Sequence, residues 1–174
     1  MSFIKTNYSK NQEKKYTPLP TGDYEMIIES AQERATKNGA ESLQLKLVVR
    51  NDLDGASELQ KKHHNRSVFM DNWKRKATNQ YDMQGFQYIL DACKIPEGTD
   101  IPDVQSFMDI ISRKPVLVHV EKTTDTYNGK EREINQIAPW GISQTKFPDV
   151  QHKFKDPNPV NEKAPEVSDS DLPF

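Results

Sequence analysis

Residues 43–50 read Leu-Gln-Leu-Lys-Leu-Val-Val-Arg. Successive side chains of an extended chain point to opposite faces. Leu43, Leu45, Leu47 and Val49 therefore share one face, and Gln44, Lys46, Val48 and Arg50 share the other. Four apolar residues at period two predict a strand with one side in a core. The opposite side carries two cations.

The neighbouring segments extend this pattern. Lys37-Asn38-Gly39 predicts a turn, since Asn-Gly suits the positive φ of tight hairpins. Before it, Tyr24, Met26 and Ile28 alternate with Glu25, Ile27 and Glu29. This predicts a first strand that starts at Gly22, continues toward Arg34 and forms a long hairpin with the second. Asn51–Asn65 reads as a loop with a basic end. Arg66–Trp73 reads as a third strand, with Val68 and Met70 on one side and Phe69, Asp71 and Trp73 on the other. Lys74-Arg75-Lys76 follows directly.

Helical spacing then takes over. Met83, Phe86, Ile89, Leu90 and Cys93 predict a helix over 82–94, weakened by Gly85. Asp103 is the expected N-cap of a second, short helix with Val104, Phe107, Met108 and Ile111 on one stripe. Val116, Val118 and Val120 predict a fourth strand after Pro115. Asn128-Gly129 predicts a hairpin, and 131–138 a fifth strand with Ile134 and Ile137. Trp140 is expected to plug a strand end.

Five strands with helical material between the third and fourth give the order of an OB-fold, a mainly β, five-stranded Greek-key barrel. The predicted organisation is a flexible arm over 1–21, the barrel over 22–141, and a disordered linker and acidic tail over 142–174. The arm interleaves Lys5, Lys10, Lys14 and Lys15 with Phe3, Tyr8 and Tyr16. Residues 148–174 hold five prolines and no apolar period.

Composition narrows the function. The net charge of −2 gives no gross basic excess, yet residues 61–76 carry six cations against one acid, Asp71. A near-neutral total thus hides a basic face. The single cysteine, Cys93, excludes an internal disulfide and a cysteine-based zinc site. No apolar run is long enough to span a membrane, and Met1–Tyr16 lacks the apolar centre of a signal peptide, so a cytoplasmic location is expected.

A binder of single strands needs cations that follow phosphates and aromatic rings on which bases stack. Arg66, Phe69, Trp73, Lys74, Arg75 and Lys76 bring both to one segment. Lys46 and Arg50 lie on the polar side of the next strand, and Tyr127 and Lys130 flank the last hairpin. Phe69 fits a core position as well as a stacking platform. The expected partner is single-stranded DNA, bound without a cofactor or metal, and a homo-oligomer is compatible with this reading.

The strand order, the residues Gly22-Asp23-Tyr24-Glu25, 43–49 and Phe69–Trp73, and Tyr127-Asn128-Gly129-Lys130 together resemble a known group. These are the single-stranded DNA-binding proteins of phages infecting Gram-positive bacteria, a family long filed as a phage domain of unknown function. The resemblance covers roughly residues 20–141 and implies an OB-fold that coats single strands in phage replication and recombination, in the host cytoplasm. The chain's end, with Asp169, Asp171, Leu172, Pro173 and Phe174, separately resembles the acidic tail of bacterial single-stranded DNA-binding proteins. That likeness implies a docking peptide for replication or recombination proteins. Ser170 departs from a run of consecutive aspartates.

Two other classes compete. A metal-dependent nuclease needs convergent acids with a lysine; Glu29, Asp71 and Lys74 supply the types but no diagnostic spacing. His63-His64 lacks partner ligands for a metal, His119 reads as a surface residue, and His152 falls in the expected linker. An interaction or inhibitor protein that does not bind nucleic acid would account for the tail but not for the cationic, aromatic third strand.

Overall fold

The structure is a computed structural model and describes residues 3–8 and 17–154. Alternation over 22–49 becomes a hairpin of β1 (Gly22–Ala35) and β2 (Glu41–Val49), and β2 pairs in turn with β3 (Ser67–Trp73). The ladder of β1 and β2 shifts register between Ile28 and Ser30, a bulge that leaves Glu29 unpaired and bends the strand. That bend lets β1 serve two neighbours. Its first half pairs with β4 (Pro115–Tyr127), and β4 pairs with β5 (Lys130–Gln136). The sheet order β3-β2-β1-β4-β5, all antiparallel, is the OB-fold order expected from sequence. Asn128 and Gly129 both take positive φ, 52° and 76°, as a tight hairpin requires.

Both helices between β3 and β4 form. In α2 (Met83–Ala92) the Asp82 side chain accepts from Gln84 N, and in α3 (Val104–Ile111) the Asp103 side chain accepts from Ser106 N. Such caps typically contribute about 0.5–2 kcal/mol each. The helices meet through Phe86 and Phe107, whose rings stack at 4.4 Å. Beneath them lie the inward residues of the strands, among them Tyr24, Met26, Ile28, Leu43, Leu45, Leu47 and Val49. Cys93 belongs to this core, and burial pushes its thiol up to about 12.

The structure departs from the sequence reading in four places. Asn51–Asn65 contains a helix, α1 (Glu58–His63), capped by Ser57. At six residues it is too short to show a period. Its Gln60 is buried and fastens the ends of β1 and β2, accepting from Glu25 N and donating to the carbonyls of Glu25 and Arg50. The ordered chain also runs past residue 141. β6 (Ile142–Gln144) pairs with β4, and Thr145 and His152 are buried, so the segment expected as linker packs onto the barrel. At the other end Leu19 is fully buried, held by both amide groups of its backbone to the Asn135 side chain. Trp140 plugs nothing; it is 71% exposed.

Asp169, Asp171, Leu172, Pro173 and Phe174, and residues 9–16 of the arm, lie outside the described residues.

Candidate nucleic-acid interface

The side chains that leave the core on β1, β2 and β3 form one outer face. Register places Lys46 opposite Phe69, Gln44 opposite Asp71, and Ser42 opposite Trp73. Ser30, Gln32 and Arg34 of β1 extend the rows. Phe69 is 52% exposed and Trp73 41%, so the choice left open by the sequence falls to the surface for Phe69. Two large rings in water on one face of a strand, with Asp71 between them, have no role in the core.

The charges on this face are internally matched. Lys46 Nζ lies 2.9 Å from Glu29, the bulge residue. Asp71 accepts from Ser42 Oγ at 2.9 Å and from Arg34 Nε at 3.3 Å. Arg34 also sits over the Trp73 ring, its guanidinium carbon 5.6 Å from the ring centre. Sequence reasoning missed Arg34, because only the β1–β2 register brings it beside Trp73; a count along the chain leaves it at the end of a hairpin.

The ten residues expected at the interface separate. Lys46, Phe69 and Trp73 share the outer face. Lys74, Arg75 and Lys76 follow at its end. Lys74 pairs with Glu41 at 3.0 Å and lies over Tyr81, and Arg75 lies 3.5 Å from Asp82. Lys76 is exposed. Tyr81 donates to Glu33, and burial with that carboxylate raises its phenol above the ordinary value. Lys130 is exposed at the tip of the β4–β5 ribbon, opposite Tyr127 in the last rung of the ladder.

Two of the expected residues are elsewhere. Arg66 has the parity of Val68 and Met70 and donates to the carbonyl of Thr17, so it pins the chain that enters β1. Arg50 is 0% exposed and out of reach of any phosphate. It shares the outer parity with Lys46, but residues 145–154 cover it. Its Nε and Nη2 bind Asp52 at 3.0 and 2.7 Å, and it donates to the carbonyls of Phe147 (2.8 Å) and Asp149 (3.0 Å). Burial alone would raise the Asp52 carboxyl, but hydrogen bonds from Arg50 and Gln151 N and the charge of Arg50 hold it below the usual carboxylate value. Thr145 completes the cluster by donating to Glu25 and accepting from Arg50.

Residues 145–154 thus form a strap across one end of the outer face. Ile27 and Val48 point outward there and are nonetheless buried, outside the main core. His152 Nδ1 accepts from Asn51 N, and burial, partly offset by Asp52 and reinforced by Arg50, lowers its pKa below 6.5. Arg113 lies 3.8 Å over the ring of Phe154.

His63 and His64 do not form a metal pair: His63 is buried against Tyr24, while His64 binds Asp54. Among the described residues no three of His, Cys, Asp and Glu converge to hold a metal ion. Glu29 and Asp71, considered for a nuclease, are each engaged by a cation. His119 is exposed, as expected, with its Nδ1 2.7 Å from Asp23. Among the described residues no helix is long and apolar enough to cross a membrane.

Residues 6–163 match the family model described as "Protein of unknown function (DUF669)". The chain belongs to that family. The match spans the strap as well as the barrel. No curated protein matches the chain. Among solved structures it is similar to a chain described as "Yeast RPA bound to ssDNA", with a TM-score of 0.34 and 9% identity over 97% of this chain and 99% of that one.

Proposed function

We propose that this DUF669 protein binds single-stranded DNA without sequence preference across the outer face of β1, β2 and β3, and acts as a coating protein in phage replication and recombination. The observation that carries this reading is the exposure of Phe69 and Trp73 on one face, bordered by Arg34, Lys46 and Lys74–Lys76. Phe69 and Trp73 are four residues apart on one strand, about 13 Å, so each can stack a different base of an extended single strand. Phosphates run past Lys46 and Lys74–Lys76, and Lys130 with Tyr127 closes over the strand from the β4–β5 ribbon. Because Lys46 and Arg34 start out paired to Glu29 and Asp71, phosphates bind by exchanging with carboxylates. No reaction is catalysed. The tail residues Asp169, Asp171, Leu172, Pro173 and Phe174 recruit replication or recombination proteins.

Titration with oligo-dT tests this. The expected result is quenching of tryptophan fluorescence that salt reverses; unchanged fluorescence with no gel shift at low salt overturns it. Truncation after Ala164 is expected to leave DNA binding intact or slightly tighter, since it removes an acidic competitor for the cationic face. Loss of DNA binding on truncation contradicts this division of labour.

A further inference from the structure

The barrel has an open seam. Lys74 N donates to Glu41 O and Val49 N donates to Arg66 O. In the β2–β3 register the even-numbered residues of β3 therefore carry the bonds to β2. The N–H and C=O of Phe69, Asp71 and Trp73 point the other way, toward the edge where a closed barrel would add its fifth strand. Among the described residues β5 pairs only with β4; its ladder ends at Gln136, and the chain turns away through a short 3-10 turn that begins at Pro139. A cleft of about 310 Å³ remains between β3, α2 and the segment that follows β5. Trp73 stands on one side and Ile137 and Pro139 on the other, with Leu45 and Met70 contributing apolar atoms and Arg75 at the margin.

We propose that this seam is a nucleobase pocket, in which one base of a bound strand leaves the outer face, turns past Trp73 and bonds edge-on to the backbone of β3. The inference rests on the strand-binding reading above and deepens it. Three features favour a base. The volume lies at the lower limit of small-ligand sites, about 300–1,000 Å³. The N–H and C=O of a single edge residue, Asp71 or Trp73, without a backbone partner among the described residues, form an adjacent donor and acceptor. Every base carries an adjacent donor and acceptor on its Watson–Crick edge, so such a pair accepts any base and preserves the lack of sequence preference. Arg75, with its side chain 65% exposed, stands where the phosphate of the inserted nucleotide would lie.

An added β-strand fits the seam poorly. Asn72 Nδ2 donates to the Asp82 carbonyl at 3.3 Å, and a Cβ on Gly85 would come within 2.6 Å of that same nitrogen. The start of α2 therefore closes tightly on β3 and leaves no straight path for an extended peptide.

The test is an amide NMR titration of the full chain with oligo-dT, beside the same titration of Ile137→Trp, which fills the cleft. In the wild type the Asp71, Trp73 and Gly85 amides are expected to shift, and hydrogen exchange at one of Asp71 and Trp73, the residue that bonds the base, to slow at least about tenfold, as a buried hydrogen bond implies. In Ile137→Trp those changes are expected to vanish and affinity to fall about tenfold, the scale of one stacked base. Shifts at Phe69 and Lys46 are expected to persist there, which also reports that the variant is folded. Wild-type shifts confined to Lys46 and Phe69 overturn the pocket and leave strand binding standing. Absence of any shift or binding overturns both. Protection of the Asp71 and Trp73 amides without DNA, in a protein that sediments as a dimer, also overturns the pocket and assigns the edge to a second copy.

Discussion

Lys46 on β2 and Arg50, one residue past its end, are four residues apart and share parity, yet they have opposite fates. Lys46 is partly exposed, with its side chain 40% accessible, and is held by one carboxylate at the surface. Arg50 is sealed under residues 145–154, its guanidinium shared by Asp52, Thr145 and two carbonyls. The outer face therefore has an open end, with Phe69 and Trp73, and a strapped end, with Ile27, Val48 and Arg50. The contrast teaches that strand parity fixes which side a cation leaves from, and only the distant chain decides whether water or protein meets it there.

Breaking the strapped end has the largest expected effect. Arg50→Ala leaves the Asp52 carboxylate without its cation, and loss of one partner of a buried pair costs about 3–5 kcal/mol. Chemical denaturation is expected to show an unfolding free energy lower by that amount, with faster hydrogen exchange over 145–154. A variant of wild-type stability contradicts the latch.

At the open end, Trp73→Ala is expected to weaken oligo-dT binding by about 1–3 kcal/mol, the worth of one stacked base, with stability little changed. Fluorescence anisotropy of labelled oligonucleotide measures it. An affinity equal to the wild type places the strand elsewhere.

A pH effect should separate the ends further. The folded pKa of His152 lies below 6.5, so its contribution is fully present above that value and is lost as pH falls through the folded pKa. His63 has the same sign, lowered by burial and then by Arg66 and Lys62. Thermal unfolding is expected to fall between pH 7 and about pH 5, with part of the slope gone in His152→Asn. An unchanged slope in that variant removes His152 from the strap's stability.

The smallest effect belongs to Glu29→Gln, which releases Lys46. Surface pairs are worth about 0.2–1 kcal/mol, so oligo-dT should bind up to about fivefold tighter. The salt dependence should steepen toward one further phosphate contact. Weaker binding in this variant assigns Glu29 a direct part in holding the strand.

The fold was legible wherever period and punctuation agreed. Leu43–Val49, Asn128-Gly129, the helix start near Asp82 and the cap Asp103 each carry their structure locally. The site was legible in part. Phe69 and Trp73 stand on the predicted side of β3, because parity within a strand is a local property. Arg50, Arg34 and Arg66 were misread or missed for one reason: each is defined by a partner far along the chain, Phe147, Trp73 and Thr17. No periodicity reports such partners. Residues 145–154 read as linker in the sequence because a strap held by backbone carbonyls and a few side chains needs no apolar pattern of its own.

The open seam also has a mechanical consequence. In a closed barrel the hydrogen bonds run round the girth, and no line along the wall is weaker than another. Here the girth is interrupted between β3 and β5, and α2 with the turn at Pro139 bridges the gap through side chains. Side-chain contacts slide where ladders snap. Under a pull on the chain the wall would part along that line first, while β1, flanked by ladders on both sides, would hold to the end.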